Sequence, residues 1–197
     1  MTSANADYYP RTIRDEAGDL QLRYMTATDE VAVLAFARAL PDHDLLFLPR
    51  DIAQPKVLGA WIAQIERGAL TTLLASRGTT LVGCATIACE ELSWSAHVGE
   101  IRVVVGADMR GKGIGRLLIQ ETFRIALQLG LEKLIAQMTV DQRGAIAVFE
   151  SMGFRGEALL RDHVKDRAGD KHDLVILSHD VARFQSQTEA YGLDEAL

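Results

Sequence analysis

Apolar residues recur along this chain in short alternating runs, and four stretches switch to a helical spacing. Arg11–Arg14 and Leu20–Met25 flank the turn-like Asp15–Asp19 and predict a first hairpin. Thr26-Ala-Thr28-Asp29 has the make-up of a helix cap, with Thr28 or Asp29 starting Val31–Leu40; Pro41-Asp-His-Asp44 breaks that helix. Pro55–Arg67 carries Val57, Leu58, Trp61, Ile62 and Ile65 at helical spacing. Leu70–Ala75, Thr79–Cys89 and Val98–Val105 read as strands, with turns at Gly78 and Glu91–Ala96. Gly113–Leu129 is a long helix, with Ile114, Leu118, Ile125 and Leu129 near one stripe. A short strand, Leu134–Met138, precedes a helix over Arg143–Met152 that Gly153 ends. Phe154–Val164 and Asp173–Leu177 form a last hairpin around Arg167–Asp170.

The order β-β-α-α-β-β-β-α-β-α-β-β implies a mixed α/β (α+β) fold. We expect one domain over residues 1–197, with a core of about 10–180. Its central sheet is mostly antiparallel, with about seven strands flanked by about four helices. Residues 1–8 read as a loose tail, and 181–197 as an extension that is a short helix or a frayed end.

Composition narrows the function classes. Hydrophobic residues make up 48% and charged ones 24%, a globular balance, while aromatics at 6% leave the core to aliphatic side chains. The net charge of −6 and the absence of a Lys/Arg run argue against nucleic acid. No apolar stretch approaches spanning length, so no membrane is expected. The N-terminus lacks the basic start and apolar run of a signal peptide, and a cytoplasmic, reducing setting is expected. Cys84 and Cys89 lie five apart in one strand-like run, which puts them on opposite faces and argues against a disulfide, and two cysteines alone do not make a metal site. No metal is expected.

The strongest chemical signal is Ile101–Gly115. A β-branched strand runs into a loop with Gly111, Gly113 and Gly115, and an apolar helix starts at once. Such glycines let backbone N–H groups converge on an anion, and a helix N-terminus adds its partial positive charge. Arg110, Lys112 and Arg116 crowd cations at the positive end of the helix dipole, a placement that a bound anion explains. A dinucleotide fingerprint does not fit the glycine spacing. A phosphate loop of the nucleotide triphosphatases fits from Gly106 to Lys112, but Gly113 stands where the Mg²⁺-holding hydroxyl is needed. The pattern Arg/Gln-x-x-Gly-x-Gly/Ala is matched in full by Arg110-Gly-Lys-Gly-Ile-Gly115.

On that hexapeptide, its flanking strand and helix, and Ala145-Ile-Ala-Val-Phe-Glu-Ser-Met-Gly-Phe154, the chain resembles the GNAT superfamily of N-acetyltransferases, over about residues 10–180. The resemblance implies acetyl-coenzyme A as cosubstrate and direct acetyl transfer to an amine. Arg110, Gly111, Lys112, Gly113, Ile114 and Gly115, with Arg116, would grip the pyrophosphate. Val103, Val104 and Val105 would offer backbone groups to the pantetheine arm, in a gap between that strand and Leu134–Met138. The helix Arg143–Met152 would lie along the arm's other side. Two positions depart from the family's pattern. Gln142 stands where Asn is common, and a longer amide keeps the same donor and acceptor. Phe149 stands where many members have a Tyr that protonates the leaving thiolate, and it cannot donate a proton.

Amine acetylation needs a group to take a proton from the ammonium. The resemblance makes Glu100 the first candidate for this base. By alternation Arg102 shares its face, and a pair between the two would weaken Glu100 as a base. Glu90, Glu91 and His97 read as solvated turn residues, with His97 and Ser95 as a possible proton relay. Asp42-His-Asp44 and Pro49-Arg-Asp51 fall where the family shapes its acceptor pocket, and loop solvation is the simpler account of His43. Asp162, His163, Asp166, Lys171, His172 and Asp173 belong to the last hairpin and could border the acceptor mouth. The acceptor is a small-molecule amine or a protein or peptide amine. An acyl-coenzyme A sensor with lost catalysis is the alternative, and a phosphate-loop nucleotide binder a remote one. Leu45–Leu48 could serve a homodimer.

Overall fold

The computed structural model describes residues 8–15, 17–47, 50–90 and 92–181, with the side chains of 46 and 47 set aside. Residues 1–7 and 182–197 of the expected tails, Glu91, Leu48 and Pro49, like the side chains of the Leu45–Leu48 dimer candidate beyond Leu45, lie outside them, whereas Tyr8 and Val181 pack at the hydrophobic core. The strands are β1 (Arg11–Asp15), β2 (Gly18–Tyr24), β3 (Leu70–Arg77), β4 (Thr80–Ala88), β5 (Val98–Val105), β6 (Lys133–Thr139), β7 (Arg155–Lys165) and β8 (Lys171–Asp180). The helices are α1 (Glu30–Ala39), α2 (Pro55–Glu66), α3 (Ile114–Gln128) and α4 (Arg143–Ser151). One sheet holds all eight strands of the predicted order, arranged β1-β2-β3-β4-β5-β6-β8-β7.

Local chemistry sets the element ends. The Asp29 carboxylate accepts from the Thr26 N–H at 2.8 Å and from Arg23 at 2.5 and 2.7 Å, which anchors the start of α1 to β2. Pro55 opens α2, where a missing N–H costs nothing. Between α1 and α2, Asp42–Phe47 forms a 3-10 turn, where the sequence predicts only a break.

Alternation along the strands feeds two cores. Met25, Val33, Phe36, Leu58, Trp61, Leu74, Cys84 and Val104 pack on the α1/α2 face. Leu22, Leu73, Ile87, Ile101, Ile114, Leu118, Ile125, Phe149 and Phe154 pack on the α3/α4 face. Each fully buried leucine such as Leu118 contributes about 1.5–3 kcal/mol through burial. Cys84 belongs to the first core and Cys89 packs against the second, so the two do face opposite sides. Buried polar groups on the α1/α2 side are satisfied in a chain: the Trp61 Nε1–H donates to Thr72 Oγ1 at 3.1 Å, and Thr72 pairs with Thr86 at 3.0 Å.

The strand pairing that positions the site is uneven. β5 pairs with β4 through six rungs, from Gly83↔Val105 to Ala88↔Glu100. On its other side it pairs with β6 in parallel through three, Val98↔Lys133 to Glu100↔Ile135. Beyond Glu100 the two parallel strands diverge, while β6 continues against β8 to Thr139↔Leu174. No helix among the described residues is long and apolar enough to cross a membrane.

Candidate active site

The divergence of β5 and β6 opens a cavity of about 700 Å³, lined by Val103–Val105 of β5, by Met109–Gly111, Gly113, Gly115 and Arg116 of the turn, and by Asp141–Ala145, Val148 and Phe149 at α4. The turn is built for backbone exposure. Gly113 caps α3 with φ +79°, a left-handed conformation that L side chains resist. A Cβ at Gly111 or at Gly113 would meet nothing within 4 Å, so the approach to the turn is open. The first turn of α3 leaves its N–H groups without helical partners. Among the described residues, the amides of Gly111, Lys112 and Gly113 donate to no other protein group.

Each sequence candidate around the turn has a distinct setting. Ile114 is buried at 2% exposure in the α3/α4 core and does not line the cavity. Gly115 sits against Val105, with 3.7 Å from an added Cβ to Val105 Cγ2. Arg110 is ion-paired with Asp44 of the 3-10 turn. Arg116 donates to Ser151 Oγ at 3.0 Å and joins α3 to α4. Lys112 is exposed, with Nζ 3.7 Å from Met109 Sδ, and does not line the cavity.

Phe149 and Gln142 differ from simple cavity groups. The Phe149 ring stacks edge-on against Phe154 at 5.0 Å and is 4% exposed, so it belongs to the core as much as to the cavity wall. The Gln142 amide is already engaged at both ends. Its Oε1 accepts from the Thr139 N–H at 3.1 Å, and its Nε2 donates to the His43 carbonyl at 3.3 Å.

A second cavity of about 760 Å³ adjoins the first, lined by Asp42, His43, Leu45, Arg50, Asp51, Glu100, Gln137, Leu174 and residues 163–168 of the last hairpin. The two sequence regions expected to frame an acceptor mouth thus converge across 116 to 125 residues of chain. Arg167 ties them together through Asp42 and Asp51, the latter at 2.6 Å. Burial pushes the Asp51 carboxyl up, but Arg167, Gln54 and the Ala53 amide more than offset it and hold it below the usual range. Glu100 lines this cavity with both oxygens bound by Arg102, at 2.9 and 3.1 Å. The β4–β5 register is unbroken here, so Glu100 and Arg102 do share a face. His97 and Glu90 line neither cavity.

Sequence reasoning passed over a cluster where the cavities meet. His43 lines both of them. Its Nε2 lies 3.0 Å from Asp141 Oδ2, and its ring meets His172 edge-on at 5.8 Å. His172 in turn pairs with Asp166 at 3.0 Å, and that hydrogen bond raises the imidazole above its ordinary value while lowering the Asp166 carboxyl. Burial raises the Asp141 carboxyl, but Thr139, its own backbone amide and the two nearby imidazoles outweigh this and leave it lowered.

Comparison with known proteins agrees with this architecture. The description "Acetyltransferase (GNAT) family" matches residues 44–154, more than half of the chain. Over 83 residues, 42% of this chain, the sequence is 32% identical to "Putative phosphinothricin acetyltransferase YwnH" of Bacillus subtilis (strain 168). That match spans half the length of the curated relative. The fold superposes on a ribosomal-protein-alanine N-acetyltransferase from Brucella melitensis with TM-score 0.69 and 25% identity, covering 81% of this chain and 98% of that one. It is also similar to yncA, "a putative ACETYLTRANSFERASE" from Salmonella typhimurium solved with its cofactor acetyl-CoA, with TM-score 0.69, 18% identity, and 82% and 94% coverage. With its glycine turn, its diverging parallel strands and this match across most of its signature region, the chain belongs to the GNAT family of acetyltransferases.

Proposed function

We propose that this chain transfers the acetyl group of acetyl-coenzyme A directly to an amine. The observation that carries the reading is the alignment of two features on one cavity: the gap where β5 leaves β6 after Glu100, and the glycine turn at the head of α3. The donor set fits the cosubstrate. Free amides of Gly111, Lys112 and Gly113, with those of the first α3 turn, suit a diphosphate at the positive end of the helix dipole. Arg116 adds charge beside them. The unpaired edge of β5 at Val103–Val105 suits an amide-bearing chain, which it would hold as one strand holds another. Bound there, acetyl-coenzyme A supplies an activated acyl carbon with a good thiolate leaving group.

The acceptor is a small-molecule amine or an amine of a protein or peptide. The adjoining cavity, with Asp42, Asp51, Glu100 and Asp166 in its lining, suits an ammonium-bearing group. In this reading Glu100 holds Arg102 and shapes the acceptor cavity. Phe149 is a hydrocarbon wall, so protonation of the thiolate falls to water or is not needed; a thiol is acidic enough near neutral pH for the thiolate to leave.

Calorimetry with acetyl-coenzyme A, followed by thiol release with a panel of amines, tests the proposal. Binding with turnover of at least one amine supports it. Binding without turnover favours the second reading, an acyl-coenzyme A sensor, to which the hydrocarbon Phe149 and the Arg102-bound Glu100 lend support. Absence of binding overturns both.

A further inference from the structure

His43 is held from two sides at the junction of the two cavities. Its carbonyl accepts from Gln142 Nε2, and its imidazole Nε2 lies 3.0 Å from Asp141 Oδ2, so its backbone is tied to the loop between β6 and α4 and its ring sits beside that loop's carboxylate. With 42% of its side chain exposed, the ring stays reachable from the cavities. A carboxylate 3.0 Å from Nε2 favours, in the neutral ring, the tautomer protonated there, which leaves the lone pair of Nδ1 to act as a base. Glu100, by contrast, accepts from the Arg102 guanidinium with both oxygens.

Resting on the acetyl-transfer reading above, we propose that His43, oriented by Asp141, is the base that takes the proton from the acceptor ammonium. The ammonium gives one proton to Nδ1, and the neutral amine attacks the thioester carbonyl. The C–N bond forms, and the C–S bond breaks with its electron pair on sulfur. The second nitrogen proton passes to that thiolate through water. The imidazolium returns its proton to solvent, so each turnover yields the acetamide, the free thiol and one proton. Asp141 is a positioning residue in this scheme. The titratable groups in contact with His43 are Asp141 from the β6–α4 loop and His172 from the last hairpin, with Asp166 behind it; its chain neighbours Asp42 and Asp44 are paired with Arg167 and Arg110.

The test compares wild type with His43→Ala, His43→Gln, Asp141→Asn and Glu100→Gln. Acetyl-coenzyme A binding is measured by calorimetry. Turnover uses the best acceptor among an α-amino acid, a polyamine and a peptide with an N-terminal alanine. We expect both His43 variants to bind acetyl-coenzyme A within about twofold of wild type while kcat/KM falls about 100-fold or more, the usual scale of a lost general base. The acid limb of the pH–rate profile disappears in the His43 variants, and added imidazole restores part of the rate to His43→Ala. Asp141→Asn lies between, about tenfold down. Turnover of His43→Ala within about threefold of wild type with its acid limb intact overturns the proposal, the more so if Glu100→Gln alone loses that limb. Wild type that binds acetyl-coenzyme A but acetylates none of the three acceptors also overturns it. Wild type that does not bind acetyl-coenzyme A defeats the transfer reading itself.

Discussion

The side chain of Gln142 bridges Thr139, from which it accepts a hydrogen bond at 3.1 Å, and His43, to whose carbonyl it donates at 3.3 Å. This amide, which lines the cavity, also fastens the 3-10 turn to the end of β6. Replacing it by Ala strands a buried donor and a buried acceptor. Gln142→Ala is expected to cost about 1–3 kcal/mol, read from the urea midpoint, and to weaken turnover more than acetyl-coenzyme A binding. An unchanged midpoint would show that the bridge holds nothing.

Gly113 separates the conformational demand of the turn from its steric demand. Its φ of +79° makes any L residue strained, yet a Cβ there meets no protein atom within 4 Å. Gly113→Ala and Gly113→Trp should therefore lose similar stability, about 1–2 kcal/mol. They should differ in calorimetry: Trp fills the approach to the amides and lowers acetyl-coenzyme A affinity at least about tenfold beyond Ala, a difference of about 1.4 kcal/mol. Equal affinities in the two variants would mean that the phosphates lie elsewhere.

Glu121 is buried on α3 and is reached by the Tyr9 hydroxyl at 2.5 Å and by Arg11 at 3.2 Å. Burial first, then the Glu121 hydrogen bond, drives the Tyr9 phenol well above its ordinary range, and burial pushes Tyr24 up to about 12. An ultraviolet alkaline titration should show two phenols that stay protonated well above the ordinary phenol value of about 10. Tyr9→Phe should remove one of them and lower stability by about 1.5–3 kcal/mol, the range for a bond to a charged group. A phenol count unaffected by Tyr9→Phe would contradict the buried contact.

The Arg23 hydrogen bonds hold the Asp29 carboxyl below its ordinary value against the opposing effect of burial, with Thr26 assisting. A carboxyl lowered in the folded state binds fewer protons there than in the unfolded chain. Its stabilisation is complete above the unfolded value near about 4 and is lost as pH falls through the folded value. Asp29→Asn should flatten the acid side of the stability–pH curve and leave its alkaline side in place. Thermal melts between neutral and strongly acid pH give the comparison, and parallel curves for the two proteins would refute it.

Much of the fold was legible because its signals are local. Val98–Val105 was predicted with the bounds that β5 has, and the four helices were found within one or two residues at their ends. The glycine turn was legible for the same reason, since a residue type that tolerates positive φ marks the place that needs it. β8 was predicted too short because Lys171, His172 and Asp180 are polar, whereas its length is set by β6 and β7 pairing on its two sides. The His43–Asp141 contact joins positions 98 residues apart, and nothing near either residue announces the other. His43 read as a solvated loop residue because its partner comes from a strand end that only the sheet order brings beside it. Gln142 lines the cavity as its sequence position suggests, but the two hydrogen bonds that tie its amide to Thr139 and His43 depend on a loop geometry that no local signal announces.

Three rungs are all that stitch the five strands β1–β5 to the trio β6, β8 and β7. The sheet is in effect two plates with a short seam, open along the stretch from Ile101 to Val105. A cosubstrate lying in that opening becomes a suture between the plates, so saturation with it should raise the melting temperature of the whole domain and slow amide exchange on both sides of the seam.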